Sequence, residues 1–145
     1  MKLLSMTEND IDEVWELDKK CFTMAWSRNS FADEMANKLA YYYIIRTDEG
    51  ELIGYCGIWN VAGEGHITNI AVHPDYRQNG YGSILVERLI ETAKELHLSM
   101  LTLEVRASNT PAQHLYKKYG FEILGKRPRY YADNREDAYI MTKNM

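Results

Sequence analysis

The residues whose types and spacing carry the most chemistry are Arg77-Gln78-Asn79-Gly80-Tyr81-Gly82-Ser83. They fall between an apolar strand-like segment, residues 67–72, and a helix-like segment, residues 83–97. A Gly-x-Gly pair at a strand-to-helix turn lets the backbone come close to a ligand. The amides from Gln78 to Ser83 then converge at a helix N-terminus, where the dipole favours an anion such as a pyrophosphate. A dinucleotide fingerprint would need a third glycine where Leu85 stands, and no Gly-Lys-Ser/Thr follows as a nucleotide P-loop requires. Spacing alone leaves open a glycine-rich turn that only caps a helix.

Other groups have two readings each. Period-2 alternation puts Thr102, Glu104 and Arg106 on one strand face, opposite Leu101, Leu103 and Val105. Glu104 is then either a solvated, ion-paired carboxylate or a proton acceptor. Tyr116 shares a helical segment with Ala112, Leu115 and Tyr119, as a core aromatic or a placed hydroxyl. Asn109 either makes an Asx turn or presents its amide to a ligand. His66, His73, His97 and His114 lack metal-ligand spacing, so no metal site is expected. Cys21 and Cys56 are isolated, which indicates neither a disulfide framework nor a zinc site.

The elements that must position these groups follow from periodicity and turn residues. Residues 2–5 read as a short strand. Thr7 reads as a helix N-cap with Asp10 as its acidic partner. Ile11, Val14, Trp15, Cys21 and Phe22 give that helix its apolar face. Ser27 caps a second, short helix through Phe31 and Met35. Residues 41–46 and 51–59 flank the hairpin turn Thr47-Asp48-Glu49-Gly50, and residues 66–72 add a third strand after a loop at 60–65. A helix over 83–97, a strand over 100–105, a helix capped by Thr110 with Pro111 in its first turn and ended by Gly120, and strands over 121–126 and 138–142 complete the chain. Strands first, then alternating strands and helices, predict a mixed α/β sheet with helices on both faces. The crossover from 67–72 to 100–105 predicts a parallel pair.

At 145 residues the chain reads as one domain, 1–145, able to bury its own core. With 46% hydrophobic and 26% charged residues it is an ordinary globular composition. A net charge of −4 argues against a general nucleic-acid binder and would suit a basic peptide partner. The longest apolar run, residues 39–45, is too short to span a bilayer, and no signal-peptide stretch opens the chain. It reads as cytoplasmic.

Arg77-x-x-Gly80-x-Gly82 resembles the acetyl-CoA signature of the Gcn5-related N-acetyltransferases. Leu103-Glu104-Val105-Arg106-x-Ser108-Asn109, then Leu115-Tyr116 and Tyr119-Gly120-Phe121, follow in that superfamily's order and spacing. More narrowly, Thr68-Asn69-Ile70-Ala71-Val72, Tyr130-Tyr131 and Glu136-Asp137-Ala138 resemble the bacterial ribosomal-protein-alanine N-acetyltransferases, in a likeness that runs from Trp26-Ser27 to Met141.

The resemblance implies a mostly antiparallel central sheet with one splayed parallel strand pair, and acetyl-CoA as co-substrate. Its phosphates would rest on Gln78, Asn79, Gly80, Tyr81, Gly82 and Ser83. Its pantetheine arm would lie along Ile70, Ala71 and Val72, with Asn109 beside it. Acetyl transfer needs an anchored thioester, a neutral amine, a donor to the developing oxyanion and a proton for the leaving thiolate. Val72 N–H would be that donor, Glu104 the general base acting through water, and Tyr116 the general acid. Trp26-Ser27 and residues 129–137 would wall the acceptor site, with Glu136 or Asp137 attracting basic residues.

The implied reaction is direct attack in a ternary complex by the N-terminal amine of a protein, a small-subunit ribosomal protein with N-terminal alanine. The alternatives are the same fold acting on lysine side chains or small amines, and a non-catalytic acetyl-CoA-binding module. Retention of both Glu104 and Tyr116 speaks against the last.

Overall fold

Aromatic and β-branched residues run continuously through the early strands, apolar side chains recur every three to four residues along the helices, and the elements form accordingly. The structure, a computed structural model, describes residues 1–145. Strand β1 (Lys2–Ser5) leads through a 3-10 turn (Glu8–Asp10) into helices α1 (Ile11–Cys21) and α2 (Arg28–Ala36). Strands β2 (Ala40–Arg46), β3 (Leu52–Val61) and β4 (Glu64–Val72) form a meander. Then come α3 (Tyr81–Glu95), β5 (Met100–Arg106), α4 (Thr110–Lys118), β6 (Glu122–Arg127) and β7 (Ala138–Asn144). All seven strands join one sheet in the order β1-β2-β3-β4-β5-β7-β6, and only β4 and β5 run parallel. The mixed sheet expected from the sequence is the one observed. No helix is long and apolar enough to cross a membrane.

Strand alternation divides the core between the two faces of the sheet. Tyr42 and Ile44 point to one face, where they pack with Ile11, Val14 and Leu17 of α1, Phe31 of α2, and Tyr55. Tyr43 and Ile45 point to the other, against Leu85 and Leu89 of α3, with Leu101, Leu103 and Val105 of β5. Thr102, Glu104 and Arg106 therefore project on the α1/α2 face.

Several local expectations hold, and several shift for physical reasons. Thr7 N–H donates to the Asp10 carboxylate at 2.8 Å, and Ser27 Oγ accepts from Ser30 N–H at 3.1 Å. Gly120, at φ 91°, ends α4 in the left-handed region where glycine is favoured. The cap of α4, however, is Asn109 rather than Thr110, its Oδ1 accepting from Ala112 N–H at 3.3 Å. The loop expected at 60–65 is absorbed into β3 and β4, leaving a tight turn at Ala62-Gly63 with both φ values positive. Helix α3 begins at Tyr81, earlier than expected, because Gly80 at φ 83° supplies a left-handed cap. Phe22 lies past the end of α1 and is exposed, while Leu17 takes its place in the core.

Gly54 sets how closely β3 and β4 approach. A Cβ there would lie 2.6 Å from the Ala71 carbonyl oxygen, a backbone atom that cannot rotate away. Gly54→Ala should therefore displace β4 and cost about 1–3 kcal/mol, as overpacking does. It should appear as a lower urea midpoint at unchanged slope, and an unaltered midpoint would show that β4 yields freely.

Candidate active site

The site starts from a break in strand pairing. β4 and β5 pair only at Gly65↔Leu101 and His66↔Thr102, although β4 continues to Val72 and β5 to Arg106. Just beyond the last pair β4 carries an extra residue. Gly57 faces Asn69 while Ile58 faces Ile67, so Thr68 is bulged. A bulge bends its strand and increases local twist, which turns β4 away from β5. The splay implied by the family resemblance is present.

Hydrogen-bond phase then decides which backbone groups face the opening. His73 N–H donates to the Ile53 carbonyl at 2.7 Å, directly across from it. Bonded and non-bonded pairs alternate in an antiparallel ladder, so Ala71 is bonded to Tyr55 while Ile70 and Val72 point their N–H and C=O groups away from β3. Those groups face the fork. The Val72 carbonyl accepts from Arg77 Nε at 3.1 Å and from the Cys21 thiol at 3.5 Å, so Arg77 is turned back onto the strand.

A cavity of about 600 Å³ lies where β4, α3 and α4 meet. Ile70, Ala71, Val72, Gln78, Gly80, Tyr81, Gly82, Ser83 and Asn109 all line it. Positive φ values at Gln78 and Gly80 curl the loop, and the first loop-to-helix bond is Ile84 N–H to the Gly80 carbonyl at 3.3 Å. The amides of the helix's first turn before Ile84 have no helical partners. Asn79 stands outside this wall. Its Nδ2 donates to the carbonyls of Tyr76 and Arg77 at 3.1 and 3.0 Å and so holds the loop's shape.

A second cavity, about 510 Å³, opens on the α1/α2 face and shares Cys21, Phe22, Ile70, Asn109 and Tyr116 with the first. Glu104 and Tyr116 both line it, brought together through the fork from opposite faces of the sheet. The Glu104 side chain is 16% exposed and both its oxygens are engaged: Oε2 with His66 Nε2 and Oε1 with Arg127 Nε, each at 3.3 Å. The hydrogen bond to His66, aided by the Arg127 charge, holds the Glu104 carboxyl below the usual carboxylate range. The same contact raises the His66 imidazole above its ordinary value. Tyr116 is buried, its hydroxyl has no protein partner, and burial pushes the phenol up, so it keeps its proton. Asn69, on the same wall, has its Oδ1 buried without a hydrogen-bond partner.

Two loops wall this cavity, and Arg106 ties one of them down. Its guanidinium donates to Asp133 at 2.8 Å and to Glu136 at 3.3 Å, and lies 3.9 Å from the centre of the Tyr131 ring. Glu136 also accepts from Ser108 N–H at 2.6 Å, so its carboxylate is committed inside the protein. Thr23 Oγ1 donates to Asp133 at 2.6 Å and links the loop after α1 to the loop after β6. Asp18 anchors the former: fully buried, it accepts from Tyr55 OH at 2.5 Å and from Trp26 N–H at 2.8 Å. Trp26 lines the cavity, whereas Ser27 serves as the α2 cap.

Sequence reasoning passed over Asp18, His66 and the hub role of Arg106. Asp18 did leave a signal, a carboxylate in helical phase with Ile11 and Val14. His66 left none, because its meeting with Glu104 depends on the β4–β5 register.

A mixed sheet of this kind, with one parallel strand pair and helices on both faces, has counterparts in a known class. The chain belongs to the acetyltransferase (GNAT) family, which matches residues 11–121. Members of this family take acetyl-CoA as the acetyl donor. Over 138 residues it is 47% identical to a Bacillus subtilis protein provisionally named as a [ribosomal protein bS18]-alanine N-acetyltransferase, covering 94% of this chain and 91% of that one. The crystal structure of the ribosomal-protein-S18-alanine N-acetyltransferase from Escherichia coli superposes with a TM-score of 0.91 at 31% identity, over 99% of this chain and 92% of that one. The structure of Ard1 from Thermoplasma volcanium gives 0.89 at 26% identity, over 99% and 97%. The superfamily, the fold and the narrower resemblance expected from the motifs are borne out.

Arg106→Ala should release the loop over residues 130–136. Hydrogen exchange at Arg135 N–H, which donates to the Tyr131 carbonyl at 2.7 Å, should quicken while that of β2 and β3 stays unchanged. The expected change is roughly tenfold, equal to ~1.4 kcal/mol of local stability. Unchanged exchange there would mean the loop holds itself.

Proposed function

We propose that this protein acetylates the α-amino group of a protein N-terminus, with the N-terminal alanine of ribosomal protein bS18 as acceptor. The observation that carries this reading is the convergence of Glu104 and Tyr116 on one cavity at the open fork, where it joins the amide-lined cavity. The names of the relatives supply the acceptor.

The residues present fit acetyl-CoA. The unpaired amides ahead of Ile84 suit its pyrophosphate, and the outward-facing groups of Ile70 and Val72 offer its pantetheine amides a strand to pair with. When bound, it supplies the acetyl thioester. Asn109 uses Oδ1 to cap α4, which leaves its Nδ2 for the pantetheine arm. Val72 N–H is free to donate to the thioester carbonyl oxygen. Asn79 acts by shaping the loop.

On the acceptor side, Glu104 stays ionised at neutral pH and takes the amine proton through a water. An α-amino group, with pKa about 8, gives up that proton far more readily than a lysine at about 10.4. Asn69 Oδ1, buried and unpartnered, offers an acceptor to an N–H of the incoming peptide. Tyr116 keeps its proton throughout the working pH range and presents it to the departing sulfur. Tyr131 and Trp26 wall the acceptor's path, and with Glu136 committed to Arg106 and Ser108, basic residues of the peptide are left to other parts of the surface. Amine and acetyl donor react directly, both held at the fork.

Mass spectrometry with acetyl-CoA and two peptides tests the assignment. One peptide begins with a free alanine; the other has a blocked N-terminus and one internal lysine. Acetylation of the first alone is expected, and modification of the second alone would overturn the acceptor class. Glu104→Gln should bind acetyl-CoA normally yet lose about 10²–10⁴-fold in rate. Tyr116→Phe should lose less, because solvent can also protonate a thiolate.

A further inference from the structure

The charges lining the cavity on the α1/α2 face are matched among themselves, with one exception. Arg106 is taken up by Asp133 and Glu136, and Asp18 accepts from Tyr55 and Trp26. Glu104 pairs with no cation of the cavity wall. The permanent cation that meets it is Arg127 of β6, which stands outside that wall and donates from Nε to Oε1 at 3.3 Å. Glu104 is also the only carboxylate that Arg127 meets, because the neighbouring Lys126 takes Asp137. The Tyr130 ring, 5.9 Å from the guanidinium, steadies a side chain that is otherwise half-exposed.

A carboxylate left bare here would work against the reaction. An α-amino group has a pKa of about 8, so the acceptor arrives at neutral pH mostly as ammonium. A lone negative charge one water away would stabilise that cation, raise its pKa and hold it in the form that cannot attack. Binding energy spent on the ammonium ground state tightens KM and leaves a higher barrier to climb. A guanidinium fixed on the same carboxylate cancels much of this attraction.

Resting on the reading of Glu104 as the base, we propose that Arg127 is a positioning residue for charge: by neutralising the Glu104 carboxylate, it keeps the site from trapping the acceptor as ammonium. Arg127 neither gives nor takes a proton in this role. Glu104 stays ionised and still receives the amine proton through water, since its contacts with His66 and Arg127 hold the carboxyl below the usual range. The other groups facing the pair are His66 on β4, Tyr131 in the loop after β6 and, behind Trp59, Glu34 on α2. Tyr131, its phenol pushed up to about 12, is neutral in the working range. His66, raised by its bond to Glu104, adds positive charge as pH falls, in wild type and in Arg127 variants alike.

The test measures kcat and KM for an alanine-starting peptide against pH, with acetyl-CoA saturating. The kcat limb follows the bound amine, so rate is lost as pH drops through its pKa. Arg127→Gln keeps a donor for Oε1 and removes the charge. It should move that limb about one unit to higher pH. At neutral pH kcat and KM should then fall together, each roughly tenfold, while kcat recovers to the wild-type plateau in alkali. Arg127→Lys should return the limb toward wild type. NMR titration of a peptide with a ¹³C-labelled alanine methyl, bound beside CoA, reads the same amine without turnover and should show the same rise in Arg127→Gln. A bound-amine pKa unmoved in that variant, or a rate loss equal at every pH, would overturn the charge role. Joined to a collapsed Glu104→Gln, either result would leave the base standing. A fully active Glu104→Gln would overturn the base, and the role of Arg127 with it.

Discussion

Everything at the site depends on a strand edge that is left unpaired inside the sheet. After His66↔Thr102, β4 and β5 forgo their ladder, and an unpaired backbone edge is a liability unless something completes it. The bulge at Thr68 and the close approach of Gly54 to Ala71 keep β4 bound to β3 while freeing its other side. The free side is open to an extended ligand carrying its own amides. A fully paired sheet of the same composition would be more uniform, and it would bring neither the two cavities nor the two faces of the molecule together.

Charge is arranged around that opening with little left loose. Arg106, Asp133, Glu136 and Thr23 knit two loops across the cavity on the α1/α2 face, and Asp18 fixes the backbone at Trp26. Glu104 is clamped from both sides by His66 and Arg127, which keeps it ionised and aimed. Tyr116, by contrast, is buried with nothing bonded to its hydroxyl. A carboxylate held charged and a phenol held neutral, on one cavity, are two environments pushing two titratable groups in opposite directions.

Much of this was legible before the structure, and the remainder divides by range. Aromatic and β-branched residues at 41–46 placed one strand, and alternation in residues 101–106 placed another with its faces, because both signals are local. The Gly80-x-Gly82 pair announced a tight turn into a helix for the same reason. The cap at Asn109 was misassigned to Thr110 because neighbouring polar residues compete for one position, and only the geometry of the turn chooses. The two-residue turn at Ala62-Gly63 went unseen since an alanine with positive φ gives no signal. The fork, the meeting of His66 with Glu104 and the strap built on Arg106 all depend on register between segments far apart in sequence. Family resemblance supplied the fork; nothing local could supply the other two.

The most direct measurement is a crystal structure with CoA joined covalently to the amine of an alanine-starting peptide. The account predicts the pyrophosphate on the amides ahead of Ile84 and the pantetheine paired with Ile70 and Val72. It also predicts the alanine nitrogen within one water of Glu104, with the sulfur beside Tyr116 OH. A conjugate whose pantetheine lies elsewhere, or whose peptide enters away from Glu104, would contradict it.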